Sequence, residues 1–253
     1  MTPLVDGFGR IHDNLRISVT DRCNIRCFYC MPEDGVKFEP REQVLTFEEM
    51  ERFVRVAVSL GVRKLRLTGG EPLLRRNLSD LIRRLSAIDG VRDLALTTNA
   101  VLLADHAQEL WDAGLRRLNV HLDTLDRERF AHITRRDQLD KVLLGIDKAL
   151  EAGFRIKINA VAVQNLVEPD IVPLARFGRE RGIEVRYIEF MPLDASNEWE
   201  RAKVVTQDEI VAVISSEFPL EPVPARGAAP ADRWRYLDGK GTVGVIPSVS
   251  HPF

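Results

Sequence analysis

All three cysteines of the chain, Cys23, Cys27 and Cys30, fall within one eight-residue window, spaced CxxxCxxC. An odd number packed so closely rules out a disulfide framework and points to thiolate ligands in a reducing compartment. Three thiolates can converge on one inorganic centre. A tetrahedral zinc site wants a fourth protein ligand, and no cysteine remains to supply it. His12, His106, His132 and His251 are scattered along the chain. A four-iron cubane tolerates three thiolates and leaves one iron open to a substrate or cofactor. The spacing therefore favours a cluster, with zinc or incidental thiols as the other readings.

The window sits in a chain whose pattern is strand, then helix, six times over, which is the signature of a parallel α/β fold. Strands are expected at Leu15–Val19, Lys64–Thr68, Leu94–Thr98, Leu115–Leu122, Arg155–Val163 and Val185–Phe190. Helices are expected near 46–60, 77–88, 104–113, 139–152, 169–181 and 206–216. Thr46 with Glu49, and Thr206 with Glu209, have capping-box spacing, and Gly61 stops the first helix. Glu221–Asp232 reads as a Pro/Ala/Gly loop, and Trp234–Ile246 as a hairpin turning at Asp238–Gly241. The stretch from Thr20 to Leu45 is too long for an idle connection in a compact domain. At 253 residues the chain suits one large domain, read as 1–220 with a C-terminal extension beginning at 221–253.

Strand polarity separates an ordinary barrel from a ligand-holding one. Period-2 alternation puts Arg16 and Ser18 on one face of the first strand. The same alternation groups Lys64, Arg66 and Thr68; Thr97 and Asn99; Arg117, Asn119, His121 and Asp123; and Arg155, Lys157 and Asn159. Barrel interiors are ordinarily filled by Val, Ile and Leu, and the outer faces of βα strands are covered by helices. A polar lumen for an anionic ligand follows, against strand ends that snorkel their charges. Net charge −2 and no basic tail give no nucleic-acid footprint. No apolar run reaches a membrane span, and the N-terminus lacks a signal-peptide core, so the expected location is the cytoplasm.

CxxxCxxC with Tyr29 just before the last cysteine, placed after a first strand, resembles the radical S-adenosylmethionine (SAM) superfamily. Gly69-Gly70-Glu71-Pro72 follows the second strand, where that superfamily has its GGEP segment. Glycines there would let backbone approach a ligand, with N–H and C=O groups free to hold a methionine moiety. A strand-to-helix turn is the plainer reading of a Gly-Gly pair by itself. Closer still, the chain resembles the GTP 3′,8-cyclase family of molybdenum-cofactor biosynthesis. That resemblance runs from about Gly7 to Phe253. It rests on Leu15–Asn24, Leu65–Pro72, Thr97–Asn99, Asn119–Leu125, Lys157–Asn159 and Arg186–Pro192 in that order.

The resemblance implies a partial (β/α)6 TIM-like barrel with a C-terminal hairpin extension. It implies that Cys23, Cys27 and Cys30 ligate a [4Fe–4S] cluster, and that Tyr29, Gly69, Gly70, Glu71 and Met191 line the SAM site. His121 joins that site in place of the family's usual serine, since both can donate a hydrogen bond. Arg16, Lys64, Arg66, Lys157 and Arg186 would hold the GTP triphosphate, with Thr97 touching the nucleotide. A triphosphate carries about four charges, which converging Arg and Lys answer through charge-assisted hydrogen bonds.

The implied activity is that of a lyase. A reduced cluster cleaves SAM to a 5′-deoxyadenosyl radical, which takes hydrogen from C3′ of GTP before the ribose closes onto C8 of guanine. No acid–base dyad is needed for the first step, and an electron donor is. A homodimer follows from the resemblance only. The family carries a second three-cysteine cluster beyond an S-x-P-F-like string, and no cysteine follows Cys30 here. A fragment of a longer chain is therefore expected in preference to a natural truncation, with the second [4Fe–4S] cluster's ligands outside it. Two other readings stay open: a radical SAM enzyme acting on another substrate such as a peptide, and an idle Fe–S-binding protein.

Overall fold

The computed structural model describes residues 4–192, 199–224 and 229–251. Their contacts divide the chain into two compact units. The first comprises 1–24, 37–119 and 141–155, and the second 25–36, 120–140 and 156–253.

The first unit alternates β1 (Asn14–Ser18), α1 (Phe47–Ser59), β2 (Lys64–Thr68), α2 (Leu78–Ser86), β3 (Asp93–Thr98) and α3 (Leu103–Asp112). The strands are parallel, with Arg16 opposite Arg66 and Arg66 opposite Ala95. Leu65, Leu67, Leu81, Ile82 and Leu85 are wholly buried. Each is worth about 1.5–3 kcal/mol relative to exposure, which is what holds α2 against its sheet. The alternation expected on β2 is present, since Leu65 and Leu67 are inside while Arg66 and Thr68 are partly open. The capping box of Thr46 and Glu49 forms in full, and Gly61 takes φ 103°, where a side chain would strain the backbone.

In β4 (Arg117–His121) and β5 (Arg155–Ala162) the chain passes from the first unit's residues to the second's, and within α5 (Leu139–Glu151) it passes back from the second to the first. The second unit holds α4 (Arg127–Thr134), α6 (Ile171–Arg181), β6 (Glu184–Glu189), α7 (Gln207–Glu217), β7 (Leu220–Val223), β8 (Asp232–Tyr236) and β9 (Thr242–Ile246). Here β5 and β6 are parallel, β9 joins β6 in parallel, and β8 and β7 follow antiparallel. Along β5 every second residue from Ile156 to Ala162 is buried and the polar set faces out of that core. β1 and β7 each end a sheet.

Two elements depart from the sequence expectation. α4 falls in a stretch read as connection; Asp126 caps it by accepting from the Arg129 N–H at 2.8 Å. The Pro-rich loop begins as a strand instead, β7, which pairs with β8 through Leu220 and Tyr236. An edge strand tolerates Pro222 because the missing N–H faces away from the ladder. Residues 225–228 of that loop, and Pro252 and Phe253, lie outside the described residues.

Candidate functional site

In the first unit the Gly69-Gly70-Glu71 segment docks onto the start of the cysteine loop. Val19 N–H donates to Thr68 O, Gly70 N–H to Thr20 O at 2.7 Å, and Glu71 N–H to Arg22 O at 2.7 Å. A Cβ on Gly69 or Gly70 would collide with the Thr20 or Arg22 carbonyl. The glycines do allow a close approach, but the backbone that comes close is the protein's own. The N–H groups of Gly70 and Glu71 are thereby engaged within the unit.

Glu71 is 1% exposed. Its Oε1 accepts from Leu73 N–H at 3.0 Å and Thr98 Oγ1–H at 2.8 Å, and its Oε2 from Asn99 N–H at 2.7 Å. Burial raises its pKa, opposed by these three hydrogen bonds. The Asn99 amide donates to Asn24 Oδ1 at 2.7 Å and to Cys23 Sγ at 3.8 Å. Sequence reading placed Glu71 on a SAM-binding edge and gave Asn99 no role.

Lower on the same strands, Arg66 and Arg117 meet on Asp93 Oδ2, at 2.8 and 2.6 Å. Lys64 pairs with Asp13 at 2.8 Å. Arg16 is exposed and Thr97 half-buried.

The second unit contains Cys27, Cys30 and an aromatic–acid cluster. Tyr29 Oη donates to Asp123 Oδ2 at 2.5 Å and lies 2.6 Å from His121 Nε2, which is itself 3.0 Å from Asp123 Oδ2. Asp123 Oδ1 accepts from Val161 N–H at 2.8 Å. Burial lowers the His121 pKa, but the Asp123 carboxylate outweighs it and carries it well above the ordinary value. Burial and the same carboxylate raise Tyr29 well above a free phenol. The loop holding these residues is pinned to the end of α4, where Arg26 N–H donates to Thr134 O and Phe28 N–H to Ile133 O. Met191 is exposed just past β6.

A second cation pair lies on β5 and β6. Lys157 Nζ and Arg186 Nε both donate to Glu184 Oε1, at 2.7 and 2.6 Å, while Thr242 Oγ1–H donates to Oε2 at 3.0 Å. Desolvation raises the Glu184 pKa, yet the two cations hold it down to about 2. Asn159, on the same strand as Lys157, has a side-chain oxygen with no hydrogen-bond partner.

The three cysteines form no disulfide. Among the described residues no three or more His, Cys, Asp and Glu side chains are gathered so as to share one metal ion. A single zinc ion draws its thiolates to about 2.3 Å. A four-iron cluster takes one thiolate per iron, and three soft thiolates fit it.

A family model described as "Radical SAM superfamily" matches residues 17–178, and one described as "Molybdenum Cofactor Synthesis C" matches residues 183–253. The chain is 52% identical to the GTP 3′,8-cyclase of Rhodopirellula baltica, over 99% of this chain and 71% of that protein. The GTP 3′,8-cyclase of Corynebacterium glutamicum is 47% identical over 99% of this chain and 70% of its own length. The fold is similar to that of Streptococcus suis SuiB bound to its precursor peptide SuiA, with TM-score 0.66 and 20% identity, covering 81% of this chain and 44% of that one. It is also similar to methylornithine synthase, with TM-score 0.64 and 17% identity over 81% of this chain and 62% of that one.

Proposed function

Because the chain belongs to the radical SAM superfamily and, within it, to the GTP 3′,8-cyclase family, we propose that it converts GTP to 3′,8-cyclo-7,8-dihydro-GTP, the first step of molybdenum-cofactor biosynthesis. The 52% identity over 99% of the chain carries this reading. The likeness to peptide-bound SuiB, at 20% identity, is one of fold.

The [4Fe–4S] cluster and SAM, when bound, supply one electron and a 5′-deoxyadenosyl radical; the residues of the chain bind and orient. Cys23, Cys27 and Cys30 would hold the cluster. Tyr29, Gly69, Gly70, His121 and Met191 are assigned to the SAM site, with Glu71 bracing it from behind. Tyr29 and His121 are held rigidly by Asp123, so their rings are set before a ligand arrives. Lys157 and Arg186, Arg66 beside Arg117, and Lys64 and Arg16 are assigned to the triphosphate, and Thr97 to the nucleotide. Glu184 offsets one charge of Lys157 and Arg186, and Asp93 one charge of Arg66 and Arg117, so both groups keep a net positive charge. Phosphate clamping would spend binding energy from the unreacting end of GTP on fixing the ribose.

The same reading places the enzyme among the lyases, requires an external one-electron donor, and carries the family expectations of a cytoplasmic homodimer and of a barrel over 1–220 with an extension from 221. No helix among the described residues is long and apolar enough to cross a membrane. The test is anaerobic: iron-loaded protein, dithionite and SAM should yield 5′-deoxyadenosine. No product from protein with confirmed iron would overturn the radical reading.

A further inference from the structure

Cys23 stands at the end of a short hydrogen-bond chain that starts on a buried acid. Glu71 takes the backbone N–H of Asn99 and the hydroxyl of Thr98, which fixes the end of β3. The Asn99 side chain, on a residue 7% exposed, is then fixed from its own two ends. Its Oδ1 accepts from Val101 N–H at 3.1 Å, so the amide nitrogen must point the other way. That nitrogen has two hydrogens and two acceptors before it, Asn24 Oδ1 at 2.7 Å and Cys23 Sγ at 3.8 Å. The backbone N–H cannot move without stranding an oxygen of Glu71, and the amide cannot flip without facing two donors at each other.

We propose that Asn99 is a positioning residue for the cluster, its side-chain amide donating an N–H···S hydrogen bond to the Cys23 thiolate while Glu71 locks it in place. This rests on the reading of Cys23 as a cluster ligand. A hydrogen bond to a cluster thiolate draws electron density from the sulfur and favours the more negative, reduced cluster, so it raises the reduction potential. Asn99 thereby eases the delivery of an electron from outside. It also fixes one sulfur before iron arrives, which lowers the ordering cost of loading. Glu71, which touches the same strand end from within, acts through Asn99.

The potential of the cluster tests this without reference to turnover. Reconstituted wild type, Asn99→Ala and Glu71→Gln are titrated by electron paramagnetic resonance with iron counted per chain. Asn99→Ala should hold the same iron at a more negative midpoint potential, and Glu71→Gln should shift it the same way by less. An unchanged potential in Asn99→Ala overturns the proposal. If that variant takes up no iron, wild type decides: protein labelled with 15N in asparagine side-chain amides, reduced without SAM, should show a 15N coupling to the cluster. Absence of that coupling overturns the proposal too. Wild type that binds no four-iron cluster would instead overturn the cluster reading beneath it.

Discussion

Lys157 and Arg186 converge on one oxygen, Oε1 of Glu184, at 2.7 and 2.6 Å. Two cations brought that close would repel each other without the acid between them. The arrangement keeps a pair of cations ordered on neighbouring strands.

Acid should dismantle this pair. The folded-state pKa of Glu184 lies at about 2, below its ordinary 4.5, so its contribution is complete above 4.5 and is lost as pH falls towards 2. The full effect is worth about 3 kcal/mol. Urea midpoints measured between pH 5 and pH 3 should fall more steeply for wild type than for Glu184→Gln. Parallel curves would show that Glu184 is not held ionised by the two cations.

Arg66→Ala should raise the KM for GTP roughly 10–100-fold, the loss of a charged hydrogen bond, and change GTP-independent SAM cleavage little. Steady-state kinetics of both reactions check this. Equal effects on the two would remove Arg66 from the triphosphate.

Gly70→Ala should lower the thermal midpoint by about 3–10 °C, because its new Cβ would meet the Arg22 carbonyl and push the segment off the cysteine loop. Calorimetry on the variant reads it directly. An unchanged midpoint would mean that the close approach is not needed.

Glu189 is wholly buried, and its oxygens accept from Gln207 N–H, Val249 N–H, Ser250 N–H and the Ser250 hydroxyl. Glu189→Gln turns one acceptor into a donor facing other donors and should cost about 1–3 kcal/mol. Hydrogen exchange at Val249 and Ser250 should quicken more than in β6. Uniform change across the second unit would argue for general loosening instead.

The motifs that sequence reading singles out are local. The cysteine window, the GGEP segment and the strand ends each announce themselves within ten residues, and β2 falls where its alternation places it. α4 was missed because RERFAHIT offers only Phe130, Ala131 and Ile133 as an apolar face. Its cap, Asp126, was the available signal. The acids that hold the cations were missed for a related reason. Asp93 lies one residue outside the strand as read, and Glu184 stands two before Arg186, on the face where alternation would have put it. Asn99 and Cys23 are distant in sequence, so nothing local pairs them. Glu71 shows in a different way what sequence spacing leaves out. A carboxylate beside two glycines reads as a ligand contact, whereas three internal donors claim it.

Radical chemistry on the ribose of GTP leaves its mark in the hydrogen that 5′-deoxyadenosine acquires. GTP carrying deuterium at C3′ should be incubated with iron-loaded protein, dithionite and SAM, and the 5′-deoxyadenosine weighed by mass spectrometry. One deuterium should pass to 5′-deoxyadenosine alongside formation of a cyclised GTP. Formation of unlabelled 5′-deoxyadenosine at the same rate with and without GTP would contradict it.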